Sequence, residues 1–166
     1  DVFADGGFHC VIGNPPYKQI QKYSAVEKAD WQAQGYETYA ATADIYCLFY
    51  ERGVRLLRKG GSLCYITSNK WMRAGYGEAL RKYFAAAVDT RSVLDFGMAQ
   101  NFGTATTYTC ITHLQRADTP SGDTQGCYVA DDRAAMADPG GYFDANHVAL
   151  TGLSKEPWVI LSPERT

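Results

Sequence analysis

A chain of 166 residues, 46% hydrophobic and 20% charged, carries enough apolar material for one globular domain with a real core. Its formal net charge of -2 excludes an overall basic footprint for nucleic acid, so any DNA contact has to come from local patches or from other segments. Five spaced cysteines without a C-x-x-C pair and three isolated histidines argue against a disulfide framework or a metal cluster; the thiols read as buried, in a reducing compartment, and no run reads as a membrane span or signal peptide.

Taken in chain order, Phe8 to Ile12 is continuously apolar and reads as a parallel strand buried on both faces. The segment from Lys18 to Ala43 is polar and tyrosine-rich (Tyr23, Tyr36, Tyr39), an excursion carrying a short helix around Ala25 to Gln34. Asp44 offers an N-cap for a helix running to about Arg58, with Ile45, Leu48, Phe49, Leu56 and Leu57 on one stripe. Gly60-Gly61 reads as its stop. Leu63 to Thr67 is a second strand, Ser68 to Tyr76 a loop, and Gly77 to Ala87 a helix with Leu80, Tyr83 and Phe84 inward. Ser92 to Phe96 is a third strand, stopped by Gly97. After a loop from Met98 to Ala105, the alternation of Thr107 to Gln115 suggests a strand with two unlike faces, and Cys127 to Ala130 a strand pairing back as a hairpin. Beyond about Asp131 the periodicity fades through Pro139-Gly140-Gly141, as in a linker.

Strand, helix, strand, helix, strand is the rhythm of a doubly wound α/β sheet, in which ligands sit beyond the carboxyl ends of the strands. Asn14 to Tyr17, Asn69 to Arg73 and Gly97 to Thr104 all fall there. Asn14-Pro15-Pro16-Tyr17 is the group with the clearest chemistry. The prolines fix φ, push the preceding residues into extended geometry and lack N–H groups, so the Asn14 side-chain oxygen and the Pro15 carbonyl are left to accept from a planar amino group. A conjugated amine is a poor nucleophile, and two acceptors aimed at its N–H bonds draw the lone pair out of the ring as it attacks a sulfonium methyl. Tyr17 adds a flat face on which an unstacked base recovers about 1 to 3 kcal/mol. The methylated ammonium sheds its proton to water, so neither a catalytic histidine nor a carboxylate pair is expected. Asn-Pro and Pro-Pro are also ordinary turn dipeptides, but this tetrapeptide arises by chance in such a chain only on the order of once in a thousand.

With these residues, the chain resembles the gamma-class N6-adenine DNA methyltransferases of bacterial restriction-modification systems, especially those joining methylation to cleavage. Gly7 to Tyr17 is similar to their catalytic motif with its strand, Asp44 to Glu51 to the following helix, Leu56 to Thr67 to the next turn and strand, and Ser68-Asn69-Lys70-Trp71 to the loop after it. The resemblance covers roughly residues 1 to 130 and implies part of a Rossmann-like methyltransferase sheet, mostly parallel strands with a terminal antiparallel hairpin and helices on both faces. It implies that Asn14, Pro15 and Pro16 hold the target amine, that Tyr17 and Phe102 stack on the flipped adenine, and that Phe49 and Asn14 meet the cofactor, S-adenosylmethionine. For Phe49 the helical spacing also allows plain core, and for Phe102 a hydrophobic plug. Lys18, Lys70 and Arg73 are candidates for DNA phosphate contacts. The family's glycine-rich cofactor loop does not precede the catalytic strand here, where only Asp1 to Gly7 stand. The chain therefore reads as the C-terminal half of a catalytic domain cut from a longer cytoplasmic bacterial protein. This half is expected to bind cofactor weakly or not at all, to expose an apolar sheet edge that invites self-association, and to lead through residues 131 to 166 to a target-recognition domain that reads double-stranded DNA. The rival readings are an amino-methyltransferase for protein glutamine or ribosomal RNA guanine, and a catalytically silent DNA-binding module of a phage-defence complex.

Overall fold

The structure, a computed structural model, describes residues 2–97 and 108–161. Six strands form one sheet: β1 (Phe8–Gly13), β2 (Leu57–Ser68), β3 (Asp89–Asp95), β4 (Thr109–Gln115), β5 (Thr124–Tyr128) and β6 (Val148–Leu150), in the spatial order β1-β2-β4-β3-β5-β6. Strands β1, β2, β3 and β5 run the same way, and β4 and β6 run against them. The α/β class and mostly parallel sheet expected from the rhythm are therefore present. The pairing differs in one respect. β4 does not double back with β5 but inserts between β2 and β3, antiparallel to both, while β5 pairs in parallel with β3.

Strand β1 lies at the edge, paired only with β2 among the described strands, and not in the centre of the sheet. Its apolar run is consequently open: Phe8 is 40% and Ile12 75% exposed. Only Val11 turns towards the main core.

Helices α2 (Tyr46–Leu56) and α3 (Glu78–Ala87) cover one face, packing Leu48, Val54, Leu80 and Phe84 onto Leu63, Val93 and Leu114. On the other face α4 (Asp132–Ala137) and α5 (Pro139–Asn146) cover Leu94, Phe96 and Cys127 with Ala135, Tyr142 and Phe143. The stretch read as a linker is thus folded against the sheet up to β6, and beyond it Trp158, 2% exposed, packs edge-on to Trp71 at 5.3 Å. The short helix of the excursion, α1 (Ala25–Ala33), starts with a reciprocal capping box between Ser24 and Glu27, a local signal that explains why weak periodicity sufficed.

Two features of α2 depart from the sequence reading. Asp44 does not cap it by its side chain; the carboxylate instead accepts from the Tyr76 hydroxyl at 3.4 Å. Gly60-Gly61 does not stop it, because the helix ends at Leu56 and both glycines lie within β2. Gly60 takes φ +75°, and the register between β1 and β2 slips across this point. The glycines serve a kink in a strand, where a side chain at that φ would be strained.

Candidate active site

Because β1, β2 and β3 are co-directional, their carboxyl ends lie along one rim, which gathers Asn14 to Tyr17, Asn69 to Arg73 and Gly97 there, as the sequence rhythm suggested. The β1 ladder stops at the Gly13–Tyr65 pair, immediately before the first proline-flanked residue. Asn14 and Pro16 are exposed and Pro15 is buried. Among the described residues neither the Asn14 amide nor the Pro15 carbonyl has a hydrogen-bond partner. Tyr17 is 38% exposed; its hydroxyl donates to the Ile66 carbonyl at 3.5 Å and its ring meets that of Tyr46 at 6.0 Å and 81°. Burial, with a contribution from Cys110, raises the Tyr17 pKa, keeping the hydroxyl a donor at neutral pH.

The excursion after Tyr17 is closed at its base. The Ile45 N–H donates to the Lys18 carbonyl at 2.9 Å and the Ile20 N–H to the Ala43 carbonyl at 2.8 Å. Higher up, Glu51, 1% exposed on α2, accepts from both the N–H and the hydroxyl of Thr38 at 2.9 Å and pairs with Arg55, which also donates to the Gly35 carbonyl and lies 4.7 Å from the Tyr36 ring. The tyrosine-rich segment is thereby fastened to the helix that follows the motif.

A second polar group sits at the ends of β2 and β3. Asp95 is fully buried and accepts from the Asn69 amide at 2.6 Å and the Gly97 N–H at 2.9 Å, with Arg73 reaching its other oxygen at 3.4 Å. Arg73 remains half exposed. Lys70 is exposed, its ammonium 5.9 Å from the Tyr108 ring, and Lys18 lies 3.8 Å over Tyr23. Of the three candidate phosphate ligands, Lys70 and Arg73 share one turn, and Lys18 follows the motif directly. Phe49 is 39% exposed, so the plain-core alternative fails: Ile45 and Leu48 turn inward, while Phe49 shares the outer stripe with Arg52. Phe102 lies outside the described residues.

Sequence reasoning missed the Asn69–Asp95–Gly97 group and the Glu51–Thr38 clasp. Each had a faint signal, an acid ending an apolar strand before a glycine and a lone acid inside the buried stripe of a helix. Neither signal names a partner. Chemically, the rim offers two acceptors without a partner among the described residues, a part-exposed ring and nearby cations; among the described residues no group of acids, histidines and cysteines could hold a metal.

This geometry has relatives. Residues 1–102 match the Eco57I restriction-modification methylase family. The chain is 30% identical over 111 residues to the type II restriction enzyme and methyltransferase RM.Eco57I of Escherichia coli, covering 66% of this chain and 11% of that protein. It is also 30% identical over 172 residues to the type II methyltransferase M.XhoI of Xanthomonas vasicola, covering 95% of this chain and 31% of that protein. Among solved structures, the ATP-dependent Type ISP restriction-modification enzyme LlaBIII bound to DNA superposes with a TM-score of 0.68 at 19% identity, over 90% of this chain and 12% of its own. The chain thus spans between about a tenth and a third of the length of these proteins, and the family match takes in the whole of the Asn-Pro-Pro-Tyr rim, the helix after it and strands β2 and β3. The chain belongs to the Eco57I restriction-modification methylase family.

Proposed function

We propose that this chain is part of a site-specific DNA methyltransferase that moves a methyl group from S-adenosylmethionine to the N6 amine of an adenine taken out of the duplex, within a bacterial restriction-modification enzyme. The observation that carries the reading is a pair of acceptors without a partner among the described residues, the Asn14 amide and the Pro15 carbonyl, next to a part-exposed Tyr17 at the carboxyl end of the sheet. In this role the two oxygens accept from the two N–H bonds of the amine and Pro16 fixes the turn. Tyr17 supports the base from one side, with Phe102 as the second aromatic. The proton leaves to water. Lys18, Lys70 and Arg73 neutralise backbone phosphates.

S-adenosylmethionine supplies, when bound, an electrophilic methyl on a sulfonium centre. Phe49 suits it, since a large apolar ring on the outer stripe of α2 has surface to offer the cofactor's adenine, and Asn14 is the second contact assigned here. One ring and one amide are few contacts, so this piece alone holds the cofactor weakly. Since the chain spans about a tenth to a third of the curated proteins it matches, the other half of the catalytic domain and a target-recognition domain are assigned to the parent polypeptide. The β1 edge, unpaired among the described strands, is where this piece would self-associate. A cytoplasmic setting agrees with the free thiols of Cys47, Cys110 and Cys127, which are buried as expected, whereas Cys10 is exposed and Cys64 part-buried. Among the described residues no helix is long and apolar enough to cross a membrane.

The test uses the full-length protein that carries this chain, labelled S-adenosylmethionine, and three acceptors: unmethylated genomic DNA, glutamine-containing protein and ribosomal RNA. Label recovered as N6-methyladenine in DNA is the expected result. Label in protein or RNA alone overturns the adenine reading.

A further inference from the structure

We propose that Tyr46 is a positioning residue for Tyr17: its buried ring is the fixed edge against which the motif tyrosine is held for base stacking. The inference rests on the reading of Tyr17 as a stacking platform and deepens it.

Tyr46 opens α2 and is 0% exposed. Its ring stands at 81° to that of Tyr17 with centroids 6.0 Å apart, an edge-to-face pair of the kind that contributes beyond simple area burial. What fixes Tyr46 is a chain of hydroxyls. The Tyr76 hydroxyl donates to Asp44 Oδ2 at 3.4 Å and so accepts from Tyr46 at 3.0 Å. Burial holds both phenols protonated, Tyr76 with its pKa pushed up to about 12 and Tyr46 further still, so the chain keeps one donor order across the working pH range. Asp44 is itself registered against the segment directly after the motif, bridging to Gln19, while the next N–H, that of Ile45, donates to the Lys18 carbonyl.

Ring and main chain are therefore referred to the same origin, the start of α2. Among the described residues Tyr17 is supported by the Tyr46 ring and the Ile66 carbonyl, and its exposed surface is left for a ligand. A free tyrosine rotor on a proline turn would lose that freedom on stacking, whereas a braced one has lost it beforehand. The sequence offers no sign of this, because Tyr46 looks like one more apolar residue on a buried helix.

The test measures KM for unmethylated genomic DNA, KM for S-adenosylmethionine and kcat in the full-length protein, with melting temperature recorded for each variant. Tyr46→Met fills similar space without a ring, and the expected result is a DNA KM raised about fivefold with the cofactor KM unchanged. Tyr46→Phe, which restores the ring, recovers most of that loss. Combining Tyr46→Met with Tyr17→Ala gives no further rise over Tyr17→Ala alone, since the brace has nothing left to hold. Should Tyr46→Met not fold, Tyr76→Phe cuts the hydroxyl chain at its half-buried end and raises DNA KM in the same direction. A folded Tyr46→Met, or failing that Tyr76→Phe, with wild-type DNA KM while Tyr17→Ala is impaired overturns the inference and leaves the stacking role intact. An unimpaired Tyr17→Ala removes the stacking role itself.

Discussion

At the scale of single residues, the legible part of the site was the part whose geometry is covalent. Asn14 to Tyr17 could be read because two prolines dictate backbone shape within the motif, whatever packs around it. Glu51 shows the opposite case. Its buried carboxylate satisfies Thr38, thirteen positions back and on another segment, and nothing local in the sequence specifies that partner. Replacing Glu51 by Ala strands the Thr38 N–H in the interior, at a cost of about 1 to 3 kcal/mol, while the lost pairing with the part-exposed Arg55 adds little. Urea unfolding should report that loss, and limited proteolysis should cut the 18–43 excursion faster in the variant. The placing of Phe49 on the apolar stripe of α2 fails for a related reason, while its reading as a cofactor contact is untouched. Spacing at i, i+3 and i+4 marks a stripe but not its margin, and Phe49 falls just outside the edge that Ile45 and Leu48 bury.

At the scale of elements, periodicity located β1, β3, β4 and the helices α1 to α3 to within a few residues. It caught only the second half of β2, met β5 at Cys127 and Tyr128 alone, and could not order the strands. Alternation in β4 says that its two faces differ, not that it runs between β2 and β3, because pairing partners are chosen by contacts distant in sequence. The Gly60-Gly61 error has the same origin: a glycine pair permits either a helix end or a strand kink, and the neighbouring β1 decides. Another glycine marks a close approach. A Cβ on Gly77 would lie 2.0 Å from the Trp71 carbonyl oxygen, between the turn after β2 and the start of α3. Gly77→Ala should therefore cost about 1 to 3 kcal/mol by crowding, exceeding any gain in helix propensity, which is at most about 1 kcal/mol; thermal melting gives the sign. Asp89, opening β3, offers a pH test. Burial pushes its pKa up, but donation from the Ser121 hydroxyl and N–H and from Arg91 pulls it, on balance, below the usual 3.8. A folded pKa below the unfolded one gives stability that is complete above 3.8 and lost as pH falls from there through the lower folded pKa. Asp89→Asn should thus be less stable than wild type at neutral pH, with the difference shrinking on acidification below about 4 in denaturant titrations. A constant gap would contradict the assignment.

At the scale of the whole molecule, the segment after Asp131 looked like a linker because its polar, glycine-rich sequence has no period, yet a few large side chains fasten it. Trp158 meets Trp71 and Phe84 in one aromatic cluster, and its backbone N–H donates to the Met72 carbonyl at 2.8 Å, while buried Arg81 donates to the carbonyls of Lys155, Trp71 and Ala74. Trp158→Ala should cost about 3 to 5 kcal/mol and lower the melting temperature of the entire chain rather than loosen its end alone. The cluster lies beneath the turn that carries Lys70 and Arg73, so fold and rim are supported by the same packing. All of this serves one arrangement, an amide oxygen and a proline carbonyl that have no hydrogen-bond partner among the described residues at the tip of β1. The measurement that tests it most directly is single-turnover methyl transfer by Asn14→Ala in the full-length protein on unmethylated genomic DNA, with DNA binding measured alongside. The rate of transfer should fall by at least about 100-fold while the folded protein still binds DNA. A rate within about threefold of wild type would contradict the account.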